Sequence, residues 1–222
     1  MAKHLQREIE KLKKRILSVG GMVEDRLQKV IKAIELKDTA VAANIIRTDF
    51  EIDEAEVEIE EECLKLLALY QPVAIDLRFI IASLKINNDL ERIGDEAVNI
   101  AQRILILSET SYDPICLTYN EMAEKSGLMM RKSIDSLVRL DLDLAFKVIK
   151  MDDEVDEMDY QIHNTVMDNI RHNPEHVEYL ANFLFISRHL ERIADHATNI
   201  AEEVVYLIEG EIIRHGFFER KA

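Results

Sequence analysis

The segment Leu90-Glu91-Arg92-Ile93-Gly94-Asp95-Glu96-Ala97-Val98-Asn99-Ile100-Ala101 returns 100 residues later as Leu190-Glu191-Arg192-Ile193-Ala194-Asp195-His196-Ala197-Thr198-Asn199-Ile200-Ala201. Only the pairs Gly94/Ala194, Glu96/His196 and Val98/Thr198 differ. Upstream, Asp49-Phe50-Glu51-Ile52-Asp53-Glu54 returns at an offset of 103 as Asp152-Asp153-Glu154-Val155-Asp156-Glu157. Two matches in the same order mark a duplicated structural unit. The chain therefore divides into a first unit over residues 1–110, a second over 115–210, and a tail over 211–222.

Hydrophobic spacing makes each unit helical. Leu5, Ile9, Leu12, Ile16, Val19, Val23, Leu27, Val30 and Ile34 step by four and three, with a mean near 3.6, the pitch of a straight helix. Gly20-Gly21 interrupts that run and offers a kink. Asp38-Thr39 caps a second helix to about Tyr70, and Gln71-Pro72 separates it from a third over about 73–108. Residues 109–115, which include Pro114, read as a linker. Three further helices follow over about 116–140, 141–172 and, after Asn173-Pro174, to about 208. Strand alternation and hairpin turns are missing. The expected fold is all-α: two tandem, pseudo-symmetric three-helix bundles made of six long helices.

Composition narrows the function. Against 28 Lys and Arg stand 43 Asp and Glu, a formal charge of −15 over 222 residues. Nucleic-acid binding needs cations that displace phosphate counterions, so this balance argues against it, as it does against charge-driven adhesion to anionic membranes. No stretch approaches the ~18 apolar residues of a membrane span, and none behind Met1 has the form of a signal peptide. Cys63 and Cys116 show no metal or redox spacing, which fits buried thiols in a reducing compartment. A cytoplasmic protein without membrane insertion is expected. Its long exposed helices leave seams for a homodimer.

The acidic residues fall where helices should meet. Along the third helix, Ile86, Leu90, Ile93, Ala97, Ile100, Ile104 and Leu107 form one apolar seam, repeated on the sixth from Ile186 to Leu207. At about 100° per residue, Glu91, Asp95 and Asn99 lie opposite that seam. Leu77, Ile81 and Leu84 extend the same line, so this face should also meet a neighbour. On the second helix Ile45, Asp49, Ile52, Glu56, Ile59, Cys63 and Leu66 share a seam, matched on the fifth by Val148, Asp152, Val155, Asp159, Ile162 and Val166. Asp53 and Asp156 follow four residues after Asp49 and Asp152. Several carboxylates in one seam repel and lose solvation, so protonation, an arginine or a cation must compensate. Arg92 and Arg192 are the sequence-adjacent arginines. All-oxygen ligand sets suit Mg, Mn, Ca or ferric iron.

Competing readings carry their own signatures. A ferritin-like carboxylate enzyme wants Glu-x-x-His on its helices, and no histidine here follows Asp or Glu by three. No phosphate-binding Gly-rich loop and no histidine-supported nucleophile are present, which favours a regulator over an enzyme. A helical scaffold with arginine-satisfied carboxylates predicts the same fold without metal. His196, beside Asp195, points about 100° away from the acidic line and is a poor ligand candidate.

The tandem Leu-Glu-Arg-Ile-x-Asp-x-x-x-Asn-Ile-Ala motifs, with Pro72-Val73-Ala74-Ile75-Asp76-Leu77-Arg78 opening the third helix, resemble the phosphate-uptake regulator (PhoU) family. The resemblance covers nearly the whole chain. It implies two three-helix bundles whose acidic motifs hold metal ions, in some relatives as multinuclear iron clusters; carried across position by position, the candidate metal ligands are Asp49, Asp53, Glu91 and Asp95 in the first unit and Asp152, Asp156, Glu191 and Asp195 in the second. It also implies negative regulation of phosphate-starvation signalling, through a sensor histidine kinase and a phosphate ABC transporter. The halves depart from each other at Asp76-Leu77-Arg78, which has no clear counterpart after Pro174, and at Glu96/His196.

Overall fold

The computed structural model describes residues 2–109 and 119–213. It contains α1 (Ala2–Leu36), α2 (Thr39–Arg47), α3 (Phe50–Tyr70), α4 (Ala74–Ser108), α5 (Asn120–Arg139), α6 (Leu142–His172), a short 3-10 turn (Pro174–His176) and α7 (Val177–Glu209). The expected linker beyond residue 109, the expected start of the fourth helix at 116, Cys116 and the tail beyond 213 lie outside the described residues. Six of the helices are long, and no strand occurs among the described residues.

The repeat is visible in the helix ends. Asp38 Oδ1 accepts the Val41 N–H and Asp141 Oδ1 accepts the Leu144 N–H, both at 3.0 Å. Each therefore satisfies a donor that the first helical turn leaves open. The residue before each cap, Lys37 or Leu140, ends the preceding helix in the left-handed region, at φ 50 in both cases. These matches fix the offset between halves at 103 for the first two-thirds of each unit.

Helices α1 to α4 form one bundle and α5 to α7 the other. The central helices are α4, packed on α1, α2, α3 and α7, and α7, packed on α4, α5 and α6. The apolar seams read from sequence are buried, with Ile86, Leu90, Ile93, Ile186, Leu190 and Ile193 all at 1% exposure or less. Each such side chain withdrawn from water contributes roughly 1.5–3 kcal/mol before chain entropy is counted. Leu77 departs from the expected second face: it is 39% exposed, because the acidic line meets its neighbour only further along α4.

Two expectations about helix continuity are corrected. α1 runs unbroken through Gly20-Gly21; the missing side chain of Gly20 instead admits Ile134 of α5, whose Cδ1 would lie 3.4 Å from an added Cβ. The expected second helix is divided at Thr48–Asp49 into α2 and α3. At that break the Arg26 guanidinium binds the Thr48 carbonyl at 2.6 Å, and the Thr48 hydroxyl donates to the Asn44 carbonyl at 3.1 Å. The Asn44 carbonyl still accepts the Thr48 N–H, but the Thr48 and Asp49 carbonyls accept N–H groups only three residues on, from Glu51 and Ile52, so the ladder changes there.

The two bundles meet through a polar seam between α4 and α7. Glu96 contacts His189 at 2.6 Å and Arg192 at 3.1 Å, His196 contacts Asp89 at 2.9 Å, and Lys85 contacts Glu203 at 3.1 Å. Positions 96/189 and 196/89 are the same pair viewed from either half. The Glu96/His196 difference therefore serves the joint between the bundles, with the acid on α4 and the imidazole on α7. The Asp76-Leu77-Arg78 segment belongs to one end of this assembly. Gln6 donates to Asp76 at 2.9 Å, and Arg78 lies against Gly210, where φ is +77 and any Cβ would collide with the guanidinium. Glycine is the natural residue at such a left-handed helix end.

Candidate metal centres

In the first half, α3 begins at the break after Thr48 and points Asp49 and Asp53 at Asp95 on α4. Oxygen atoms of these three carboxylates lie within 4.8 Å of one another. Glu91 sits one turn before Asp95 and is half-buried, as are Asp49 and Asp95, whereas Asp53 opens to solvent. Burial pushes the Glu91 and Asp95 carboxyls above their ordinary range; the Asp95 charge adds to the effect at Glu91 and the Asp49 charge at Asp95. Asp49 is also raised by burial, opposed by Arg26 and reinforced by Asp53.

In the second half, Asp152 and Asp156 of α6 face Glu191 and Asp195 of α7. Asp156 and Asp195 stand at the open edge, Asp152 is half-buried, and Glu191 is only 9% exposed. Burial, with the charges of Asp195 and Asp156, pushes Asp152 up to about 6. Burial and Asp195 push Glu191 up to about 7, although Arg188 holds one of its oxygens at 2.5 Å. Glu191 Oε2 and Asp152 Oδ1 are buried with no hydrogen-bond partner among the described residues. A cleft of about 490 Å³, lined in part by Asp152, Asp195 and Arg192, opens beside them.

The structure thus brings all eight sequence-selected carboxylates to two helix seams, and it reassigns their neighbours. Arg92 makes only loose 3.5 Å contacts with Glu91 and Asp95 from a half-exposed position, and Arg192 turns across the molecule to Glu96. Arg92 thus reaches its own seam, whereas Arg192 leaves its seam for the joint between the bundles. Asn99 and Asn199 also leave the acidic line, donating to Glu96 and Asp89. His196, engaged by Asp89, stays out of the cluster as its helical phase predicts.

Three residues escaped the sequence reading. Arg26, 6% exposed, binds Asp49 Oδ1 at 2.6 Å. Its signal was an arginine three after Val23 and four before Val30, on the apolar seam of α1. Asn87 is fully buried and donates to the carbonyl and carboxylate of Glu56 at 2.9 and 3.1 Å. Its equivalent Ser187 donates to Asp159. Positions 87 and 187 stand four before Glu91 and Glu191, so the line could have been extended by one turn.

Carboxylate oxygens that converge, and buried ones that lack a donor, are the donor set hard cations take. A buried acceptor left unsatisfied costs about 1–3 kcal/mol, more when charged. The residues therefore fit a metal ion: Asp49, Asp53 and Asp95, whose oxygens converge, could hold one in the first half, with Glu91 and its partnerless Oε2 adjacent; in the second, where no three carboxylates among the described residues come as close, Asp152, Asp156, Glu191 and Asp195 could hold one through their partnerless buried oxygens.

The model of the PhoU domain matches residues 16–104 and 119–204, one copy in each half. The chain belongs to the PhoU family. It is 39% identical over 217 residues to the phosphate-specific transport system accessory protein PhoU homolog of Aquifex aeolicus, covering 98% of both chains. The protein of the same description from Clostridium acetobutylicum is 37% identical over 210 residues, with 94% of this chain and 96% of that one covered. Among solved structures, PhoU from Pseudomonas aeruginosa superposes with a TM-score of 0.90 at 34% identity, covering 93% of this chain and 99% of that one. The phosphate transport system regulatory protein PhoU from Streptococcus pneumoniae gives 0.86 at 29% identity, covering 94% and 98%. No helix among the described residues is long and apolar enough to cross a membrane.

Proposed function

We propose that this PhoU-family chain is a non-enzymatic, cytoplasmic accessory protein of phosphate transport that restrains phosphate uptake and phosphate-starvation signalling. Its partners in this reading are a phosphate ABC transporter and a sensor histidine kinase, and its acidic seams are metal centres for iron, Mg or Mn. One observation carries the metal part: carboxylates sit between helices in both halves, and Glu91 Oε2 and Glu191 Oε2 are each buried with no hydrogen-bond partner among the described residues. The relatives' description as accessory proteins of phosphate-specific transport supports the regulatory part.

A bound cation would add the positive charge that the arginines of these seams supply only in part. The chain's own residues set what that charge does. Asp49 and Asp53 on α3 and Asp95 on α4 would be drawn together, as would Asp152 and Asp156 on α6 with Glu191 and Asp195 on α7. Each unit is thereby stiffened across one helix–helix contact, and its outer acidic face is part-neutralised for a partner. The scaffold reading, with carboxylates satisfied by arginine alone, is favoured by the Arg26–Asp49 and Arg188–Glu191 pairs but leaves Glu91 Oε2 and Glu191 Oε2 without a hydrogen-bond partner.

The test replaces Glu91, Asp95, Glu191 and Asp195 together by Ala and measures association with the transporter and the kinase. Loss of association with folding retained supports the reading. Unchanged association would remove the centres from the working surface.

A further inference from the structure

Equivalent positions in the two halves carry different charge. The offset of 103 set by Lys37/Leu140, Asp38/Asp141 and Asp49/Asp152 places Met129 of α5 where α1 carries Arg26. Both side chains are buried, Met129 completely. The neighbouring change on the central helix is matched to this one. A Cβ on Gly94 would lie 3.6 Å from Arg26 Nη1 and 3.3 Å from Ile52 Cδ1, whereas the second half has Ala194 there. Glycine gives the guanidinium room, and alanine fills the space beside a methionine.

The consequence is an unequal pair of centres. In the first, a fixed guanidinium charge holds Asp49 at 2.6 Å, so three carboxylates face one built-in cation. In the second, Met129 brings no charge; Glu91 Oε2 and Glu191 Oε2 are both buried without a hydrogen-bond partner, so the halves differ in the buried guanidinium itself. Arg188 binds the other Glu191 oxygen from a mostly exposed position on the same helix, where solvent screens it more than Arg26.

We propose that Arg26 is a tethered counter-ion of the first centre that competes with metal, so that cations load the second centre first. This rests on the metal reading above and adds to it an order of loading and the residue that sets it. Arg26 also holds the Thr48 carbonyl at the α2/α3 break. Loading the first centre therefore works against a contact that shapes the backbone there, while loading the second does not.

The test is calorimetric titration of the full chain, stripped of metal, with Mn²⁺, followed by the same titration of Arg26→Met. The wild-type chain should show two affinity classes. Arg26→Met should tighten the weaker class by about tenfold or more, the scale of one charged hydrogen bond, and leave the tighter class unchanged. The converse pair Met129→Arg with Ala194→Gly should weaken the tighter class. Arg26→Gln, which keeps a polar side chain at the site, serves if Arg26→Met does not fold and predicts the same direction. Hydrogen exchange around residues 48–52 should respond to the second, weaker loading step in the wild type. Two equal classes, or a weaker class that Arg26→Met and Arg26→Gln leave unchanged or loosen, would overturn the inference while preserving the metal reading. Absence of any Mn²⁺ binding would overturn both.

Discussion

The two halves share a backbone and differ in how they balance charge. Their central helices bury the same leucines and isoleucines, their second helical segments start from aspartates bonded at the same distance, and both present carboxylates at matched positions. Yet Asp49 has a buried arginine and Asp152 has none, and the carboxyls pushed up to about 6 and 7 both lie in the second half. Packing tolerates little drift because interiors are close-packed. Charge balance has more than one solution, since an arginine, a proton or a metal ion can each supply it. A duplicated unit can thus keep its shape while its two acidic seams acquire different requirements.

The largest effect that would break this comparison concerns packing. Leu90→Ala and Leu190→Ala remove equivalent, fully buried side chains. Each should cost about 2–5 kcal/mol in urea unfolding, with the two costs close to one another; a wide gap would mean that the seams are not equivalent.

The next prediction is one of pH. Glu191 is raised from 4.5 to about 7 in the folded chain. The folded state therefore holds its proton more tightly than the unfolded state. The stability this contributes is full below pH 4.5 and is lost as pH rises through about 7. Without metal, Glu191→Gln should relieve that loss and be more stable than wild type at pH 8, by on the order of 3 kcal/mol. Glu91→Gln, at a more exposed carboxyl, should gain less. Equal gains at the two positions, measured by denaturation at pH 5 and pH 8, would erase the asymmetry.

Smaller effects sharpen the picture. Asp38→Ala and Asp141→Ala should each cost about 1 kcal/mol in thermal unfolding through loss of a helix cap, again as a matched pair. Arg92→Ala should change stability by no more than about 0.5 kcal/mol, because its contacts are long and half-exposed. A larger loss would restore Arg92 as the neutralising arginine of the first seam.

Much of this was legible in the sequence, for identifiable reasons. The repeat at residues 90 and 190 and the period of the apolar residues specify long helices, since helical phase is set by local spacing alone. The same phase put Glu91, Asp95 and their equivalents opposite the apolar seam. What sequence spacing does not contain is the rotation of one helix against another. Arg26 precedes Asp49 by 23 residues on a different helix, and its pairing follows from how α1 turns against α2 and α3. The break at Thr48–Asp49 follows from that same contact and was hidden with it. Arg192 was assigned to its own helix by proximity in sequence, but the joint with α4 offered it the buried Glu96. Glu96 and His196, where the two halves depart in sequence, both face that joint, Glu96 meeting His189 and His196 meeting Asp89.

The central claim is that two seams of negative charge are closed by bound metal, and elemental analysis of the full chain, purified with neither added metal nor chelator, tests it most directly. The account predicts retained iron, manganese or magnesium that is lost from a variant carrying Asp152→Asn, Glu191→Gln and Asp195→Asn. A folded wild-type chain that carries no metal and takes up none when it is offered would contradict it.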